Sequence, residues 1–582
     1  MTTSRAIRIT TVVCRTPPKR TLITLRTAVA LLILSLGTNC YSQTNVTPAQ
    51  YLAGQPKPNF APGNNLPLLS TWAWPYSYAL RVEMATNWGY ALAFNTYNSL
   101  DAGGLQNDLT NASSVAAQCV ALCSNYPGKF ALQVNVDRDI PKNMVSTGFW
   151  VTNTNGWFVD DNTNAWQSIT NAAYNPIVSP EGPDSDWTNL TAYWSAPIVT
   201  LQSIAPIAIV LNGGEYGLGC TGFNQKAWQY DPRVIAALAT NGFSWNRYIS
   251  NRKAHELGFL TTAVHNAVPD RQLYVFYNTG NEQNRFSQPG YGNWEDIWGN
   301  WGWASGVINT NTNSPSIQVM NTNTDLPSFQ NYYMNGNSWT NITGARWNQI
   351  SDLLTLQLDA VGFNQTLGYS NSYDWVCGGW SNTSTNALSD IPHYMGFLKC
   401  LYTTGMVGGV AGYFSYPTNT VSGSIFGGPG FDAAFPSNSP PHWLQQIVAL
   451  SHVHALFSNL ESYLYNGVLL SGPQSHVMSL DQPAYEFTNT TADATARVLA
   501  RKMNGTNLWL ITAWAAGGPD RTVTVTIPTL GSVSVFARAV GSVYQATTTN
   551  LALIDVNGML PSASFGELAP PTDLHIISGS PN

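Results

Sequence analysis

Glu215 is one of nine glutamates among 582 residues, and it follows a short apolar run, Ile207-Ala208-Ile209-Val210-Leu211, through Asn212-Gly213-Gly214. A run of strand length that opens into a glycine-rich polar turn sets a carboxyl at the C-terminal tip of a buried strand. The chemistry within reach there is proton transfer. With a second carboxylate close by, it extends to acid-assisted cleavage of an acetal bond. Three acids are candidates for that second role. Glu282 follows the apolar run 272–278, Asp137 follows the run 130–136 beside Arg138, and Asp374 lies in Ser372-Tyr373-Asp374-Trp375-Val376. Plainer readings stand beside each: Glu282 as a solvated loop acid, Asp137 as the ion-pair partner of Arg138, Asp374 as a residue short of its strand's tip.

Around these acids the sequence offers aromatic rings and amides. Trp72, Trp74, Asn95, Arg138, Asn212, Tyr277, Trp375 and Trp380 fall in or just past apolar runs, and Trp294 opens a tryptophan-rich stretch. Flat rings stack on the CH faces of sugar rings, and amides hydrogen-bond hydroxyls without bringing a charge. The composition agrees: 21 Trp, 12% aromatic residues and only 10% charged ones. Four tryptophans fall within residues 294–303, which reads equally as a sugar-stacking loop or as a tryptophan cluster packed on the fold. His452 and His454 are two apart in helical text and point to different faces, so they do not form a metal pair. No HExxH, GxSxG or P-loop pattern occurs. No cofactor and no metal is therefore expected.

The elements that position these residues alternate. Strands are expected at 66–74, 90–97, 130–136, 207–212, 272–278, 325–333, 369–380 and 409–416, with helices over 113–126, 186–204, 244–267, 346–361, 391–404 and 441–465. Near-continuous apolar strands separated by helices imply a parallel sheet covered on its outside. Eight such units in about 400 residues predict α/β architecture, a (β/α)8 TIM barrel with long loops. From about 466 the text changes to period-two strands at 497–501, 508–515, 521–528 and 531–539, which predicts a C-terminal antiparallel β-sandwich. The expected division is 1–42 a signal peptide, 43–465 the barrel and 466–582 the sandwich.

Residues 1–42 carry six of the 25 basic residues and none of the 31 acidic ones, and Arg26 leads into an apolar run of about ten residues, half of what spans a bilayer. This predicts export to the periplasm or the outside, with lipid anchoring at Cys40 disfavoured by Asn39 before it. The remaining chain carries 19 basic and 31 acidic groups, a net charge of −12. Such a surface argues against nucleic acid and anionic membranes as partners. Cys119, Cys123, Cys220, Cys377 and Cys400 remain, with room for one or two disulfides but no zinc spacing. Nothing in the sequence specifies an oligomeric state.

Residues 64–460 resemble the (β/α)8 glycoside hydrolases, with Leu211-Asn212-Gly213-Gly214-Glu215 standing where the large retaining clan places its strand-four acid/base. In that clan an Asn directly precedes this Glu, whereas here Gly214 fills that slot and Asn212 comes earlier. The clan also carries a Glu at strand seven, where this chain has Asp374. The resemblance implies a secreted hydrolase acting on a carbohydrate substrate, with Glu215 as general acid/base. A carbohydrate-binding barrel without catalysis is the alternative. A polysaccharide lyase, which needs a cation to neutralise a uronate, suits the acidic chain less.

Overall fold

The computed structural model of the chain describes residues 44–71, 76–95, 102–136, 181–212, 232–242, 255, 258–259, 261–268, 273–278, 326–331, 354, 358, 370–377, 390–413, 431–470 and 496–554. A short segment, β1 (residues 69–70), is followed by β2 (Leu92–Asn95), β3 (Leu132–Val136), β4 (Ile207–Asn212), β5 (Leu273–Asn278), β6 (Leu326–Asn331), β7 (Ser372–Cys377) and β8 (Met406–Tyr413). From β2 to β8 the strands pair in chain order, and every pairing is parallel. β1 joins the two ends. Leu69 N donates to Gly89 O and Ala91 N donates to Leu69 O, both at 2.9 Å, on the β2 side, while Ser70 N donates to Gly409 O of β8 at 3.2 Å. The sheet thus closes into a ring of eight parallel segments, the topology of a barrel.

Helices cover the ring. α1 (Tyr78–Asn87) and α2 (Val115–Asn125) begin where Ser77 and Ser114 accept the amides of Leu80 and Ala117, which satisfies donors that a helix start leaves open. α3 (Asp184–Ile204) delivers the chain to β4. α4 (Ile391–Thr404) is capped by Asp390 and stops at Gly405, whose φ of 125° turns it straight into β8. α5 (His442–Ser458) is buried along almost its whole length, and α6 (Glu461–Tyr465) follows it. Further helices span Pro48–Gly54, Ala102–Thr110 and Pro232–Asn241.

The outer face of the ring packs against these helices. Phe94, Val134 and Val210 lie in register and are buried, and the Tyr90 hydroxyl donates to the Ile447 carbonyl of α5 at 3.1 Å. Among the described residues Cys119, Cys123 and Cys400 are buried free thiols rather than the disulfide partners that export would allow. Burial pushes the first two up to about 11 and about 12.

Beyond α6 the strands are antiparallel. β9 (Gly467–Leu469), β10 (Ala496–Met503), β11 (Trp509–Ala515), β14 (Ser542–Ala546) and β15 (Leu551–Leu553) form one sheet in that order, and β12 (Arg521–Ile527) pairs with β13 (Gly531–Ala537) in a separate ribbon. Alternate residues of the sheet serve two cores. Val498 and Ile511 meet Val523, Val525 and Val535 of the ribbon, while Leu499, Leu510 and Trp514 join Phe397 and Leu401 of α4. Because both faces of the sheet are covered, β11 is buried throughout, whereas β12 alternates buried and open.

Candidate functional site

All strands of the ring point the same way, so their C-terminal ends meet at one rim. β2, β4, β5 and β6 each end on an asparagine, at Asn95, Asn212, Asn278 and Asn331. Asn135 stands opposite Asn95 in the register of β2 and β3.

Just below the rim, Gln133 of β3 crosses the inside of the ring. Its register partner on β2 is Ala93, small enough to let the side chain pass over to β1. There Gln133 Oε1 accepts the Thr71 amide at 3.0 Å, and Nε2 donates both to the Thr71 carbonyl and to Asn135 Oδ1, the latter at 2.6 Å. A side chain on β3 reaches the backbone two strands away only on the concave side, because strands lie about 4.8 Å apart. Gln133 and Ser70 are fully buried, and Asn135 is 1% exposed.

A second buried group holds the next corner. Arg81 of α1 donates through Nε to the Tyr76 carbonyl at 3.2 Å and through a terminal nitrogen to the Ala93 carbonyl of β2, and its guanidinium lies 5.6 Å from the Tyr76 ring. Burial lowers its pKa, and Asp432, which accepts the Ser77 amide at 2.9 Å, opposes that shift. Tyr76, Phe431 and Trp443 pack edge to face around this corner, with centroids 4.8 and 5.0 Å apart along the chain of rings. The backbone is thereby fixed at Thr71 and again at Tyr76, on either side of residues 72–75.

The expected site residues fall into three groups. Glu215, Glu282, Asp137, Arg138, Trp72, Trp74, Trp294 and Trp380 lie outside the described residues. Asn95, Asn212, Tyr277 and Trp375 have described backbones, the first two as last residues of β2 and β4 and Tyr277 one place before the end of β5. Asp374 sits before the tip of its strand, the plainer of its two readings. It is the third of six residues in β7, fully buried, and on the strand face opposite Tyr373. The Tyr373 ring lies over Gly408 and its hydroxyl donates to the Leu68 carbonyl at 2.6 Å, on the inside of the ring. Among the described residues no three metal-ligating side chains cluster.

Sequence reasoning missed Gln133, Asn135 and Arg81. A signal for the first two was present: Leu132, Gln133, Val134, Asn135 and Val136 alternate, although a strand buried on both faces has no need of a polar one. Arg81 left none, since one arginine on a helix reads as solvated.

No family model matches the chain, and no curated protein matches it. Similar solved structures are glycoside hydrolases of several kinds. An endoxylanase of glycoside hydrolase family 30 from Clostridium papyrosolvens aligns over 82% of this chain and 96% of its own, at 10% identity and a TM-score of 0.35. An alpha-amylase from Geobacillus thermoleovorans, solved with acarbose, aligns over 76% and 80%, at 10% identity and 0.35. An endo-glycoceramidase II from a Rhodococcus species, solved with ganglioside GM3, aligns over 83% and 99%, at 10% identity and 0.34.

Proposed function

We propose that the chain is an exported (β/α)8-barrel glycoside hydrolase with an attached β-sandwich, cleaving O-glycosidic bonds in a polysaccharide or oligosaccharide. Glu215 is the general acid/base. The observation that carries this reading is the order of the strands at the rim. β4 ends three residues before Glu215, and its two neighbours are β3, which runs directly into Asp137, and β5, which ends four residues before Glu282. Glycosidases use two carboxyls about 5 to 9.5 Å apart, depending on stereochemistry, and residues that follow neighbouring strand exits suit such a pair. Either Asp137 or Glu282 therefore supplies the second carboxylate. Trp72, Trp74, Trp294, Trp375 and Trp380 supply stacking faces, and Asn95, Asn212, Tyr277 and Arg138 supply polar contacts to hydroxyls.

A non-catalytic sugar-binding barrel is the second reading, favoured by one observation: Asp374, the acid of strand seven, is third of the six residues of β7 and fully buried. Screening the purified protein against soluble plant and algal polysaccharides and aryl glycosides, with products read by mass, separates the two. Shortened sugars are the expected result; retention on a polysaccharide without products favours the binding barrel.

No helix among the described residues is long and apolar enough to cross a membrane.

A further inference from the structure

We infer that residues 44–68 are a clasp that shuts the seam of the ring last in folding and releases first in unfolding. The seam lies at β1, two residues long, which joins β2 to β8 through the backbone bonds of Leu69, Ser70 and Ala91 given above. The chain ahead of β1 runs along α5 from its start to its end. Asn45 and Val46 pair antiparallel with Pro436 and Phe435, just before α5. Leu52 is fully buried, and the Tyr51 ring stands edge-on to Phe435 at 5.6 Å. Farther along, Ala61 N donates to Ser458 Oγ at 2.8 Å. Asn65 donates from its backbone and its side chain to the two oxygens of Glu461, at 2.6 and 3.2 Å. On the other flank Lys57 Nζ reaches Glu83 of α1 at 2.6 Å, and the Phe60 ring fills the space beside Gly89. The segment therefore bridges the first and last helices of the ring across its seam.

Two properties set the order of events. The partners of Ala61, Asn65 and Pro67 lie 387 to 400 residues away. Neighbouring strands of the ring span far less, as where Leu92 of β2 meets Leu132 of β3. Closing the longer loop costs more chain entropy, and its far end exists only once α5 and α6 have formed. The second property is exposure. The bonds between Asn65 and Glu461, and that from the Tyr465 hydroxyl to the Asn65 carbonyl, are open to water. Water replaces such bonds at little cost, so they yield before the buried strands do. In an exported chain, ring closure then waits until α6 has crossed the membrane. That consequence rests on the export reading; the clasp itself does not.

The register supplies a lock for the test. Ser437 N donates to the Thr44 carbonyl at 3.2 Å, so the next pair, Asn45 and Pro436, is a non-hydrogen-bonded one. Cα atoms of such a pair lie about 4.5 Å apart, within reach of a disulfide. The full chain carrying Asn45→Cys and Pro436→Cys together is compared, oxidised and reduced, with wild type and with Leu52→Ala. Unfolding and refolding rates are read by tryptophan fluorescence in guanidinium. Hydrogen exchange of peptides from 47–62 and from β11 is read by mass in rising denaturant. The clasp peptides are expected to exchange at lower denaturant than β11. The disulfide should slow unfolding about tenfold, and reduction should restore the wild-type rate. Leu52→Ala should speed unfolding about tenfold and leave refolding within about twofold, as for contacts absent from the folding transition state. Clasp peptides that exchange only together with β11 would overturn the inference. So would a disulfide that leaves unfolding unchanged and speeds refolding, and so would a cysteine pair that never cross-links. If Leu52→Ala does not fold, wild-type exchange and the disulfide decide the matter without it.

Discussion

His454 donates from Nε2 to the Pro67 carbonyl at 3.0 Å and accepts the Tyr402 hydroxyl on Nδ1 at 2.6 Å, so it is held as the neutral Nε2–H tautomer. His452, 3% exposed, stands edge-on to Trp88 with centroids 5.7 Å apart. Burial pulls both down to about 4 from an ordinary 6.5, against weaker opposing hydrogen bonds from the Pro67 and Pro56 carbonyls. The unfolded chain binds protons at these groups between pH 6.5 and 4 and the folded chain does not. Stability is therefore complete above pH 6.5 and falls as the pH drops through that window, by roughly 3 kcal/mol per histidine. Thermal scans between pH 7 and 4 should show this fall, and His452→Phe, which keeps a ring against Trp88, should make it shallower. An unchanged slope in the variant would assign the acid sensitivity to other groups.

At the scale of elements, α4 and β11 approach so closely that only glycine fits between them. A Cβ on Gly396 would stand 2.2 Å from the Trp514 ring and 2.4 Å from the Ala539 carbonyl oxygen. Helix propensity alone favours Gly396→Ala by about 1 kcal/mol, while forcing a methyl into a filled contact costs about 1–3 kcal/mol. Packing wins, and a lowered Tm for the alanine variant is expected. A raised Tm would show that the contact yields. These same elements show what the sequence could tell. The bounds of α4 and the course of β3, β4 and β5 were legible because apolar runs, Asp390 before the helix and Gly405 after it mark them locally. β8 starts at Met406, three residues before the expected start at Gly409, because the glycine pair 408–409 interrupts the apolar text. Gly408 and Gly409 are glycines because the Tyr373 ring and the Met406 side chain occupy the space beside them. The strand exits were legible from the ends of those runs as the rim of the ring. Its interior was not, because Gln133 finds Thr71 sixty-two residues away, a pairing that no local spacing encodes.

For the whole molecule, the C-terminal sheet is bound into the barrel and not tethered to it. Arg501, fully buried, donates to the carbonyls of Thr403, Tyr463, Leu464 and Gly467, which belong to α4, α6 and the start of β9. Burial lowers its pKa to about 10, so it stays a cation at neutral pH. Lys399 Nζ donates to the Gly541 carbonyl at 3.0 Å, and the hydroxyls of Thr403 and Thr512 lie 2.6 Å apart. Removing residues 466–582 would strip the cover from α4, exposing Phe397 and leaving Lys399 buried in part without its acceptor. We expect the shortened chain to aggregate or to melt many degrees lower. A barrel that stays soluble and melts like the full chain would contradict a shared core.

The central claim is that this rim performs acid/base cleavage of a glycosidic bond through Glu215. Glu215→Gln keeps the shape of the side chain and removes its titratable proton. On the polysaccharide that the wild-type protein shortens, kcat/KM for this variant should fall by about 10²- to 10⁴-fold while its Tm stays that of the wild type. A variant that cleaves at the wild-type rate would contradict the assignment of Glu215.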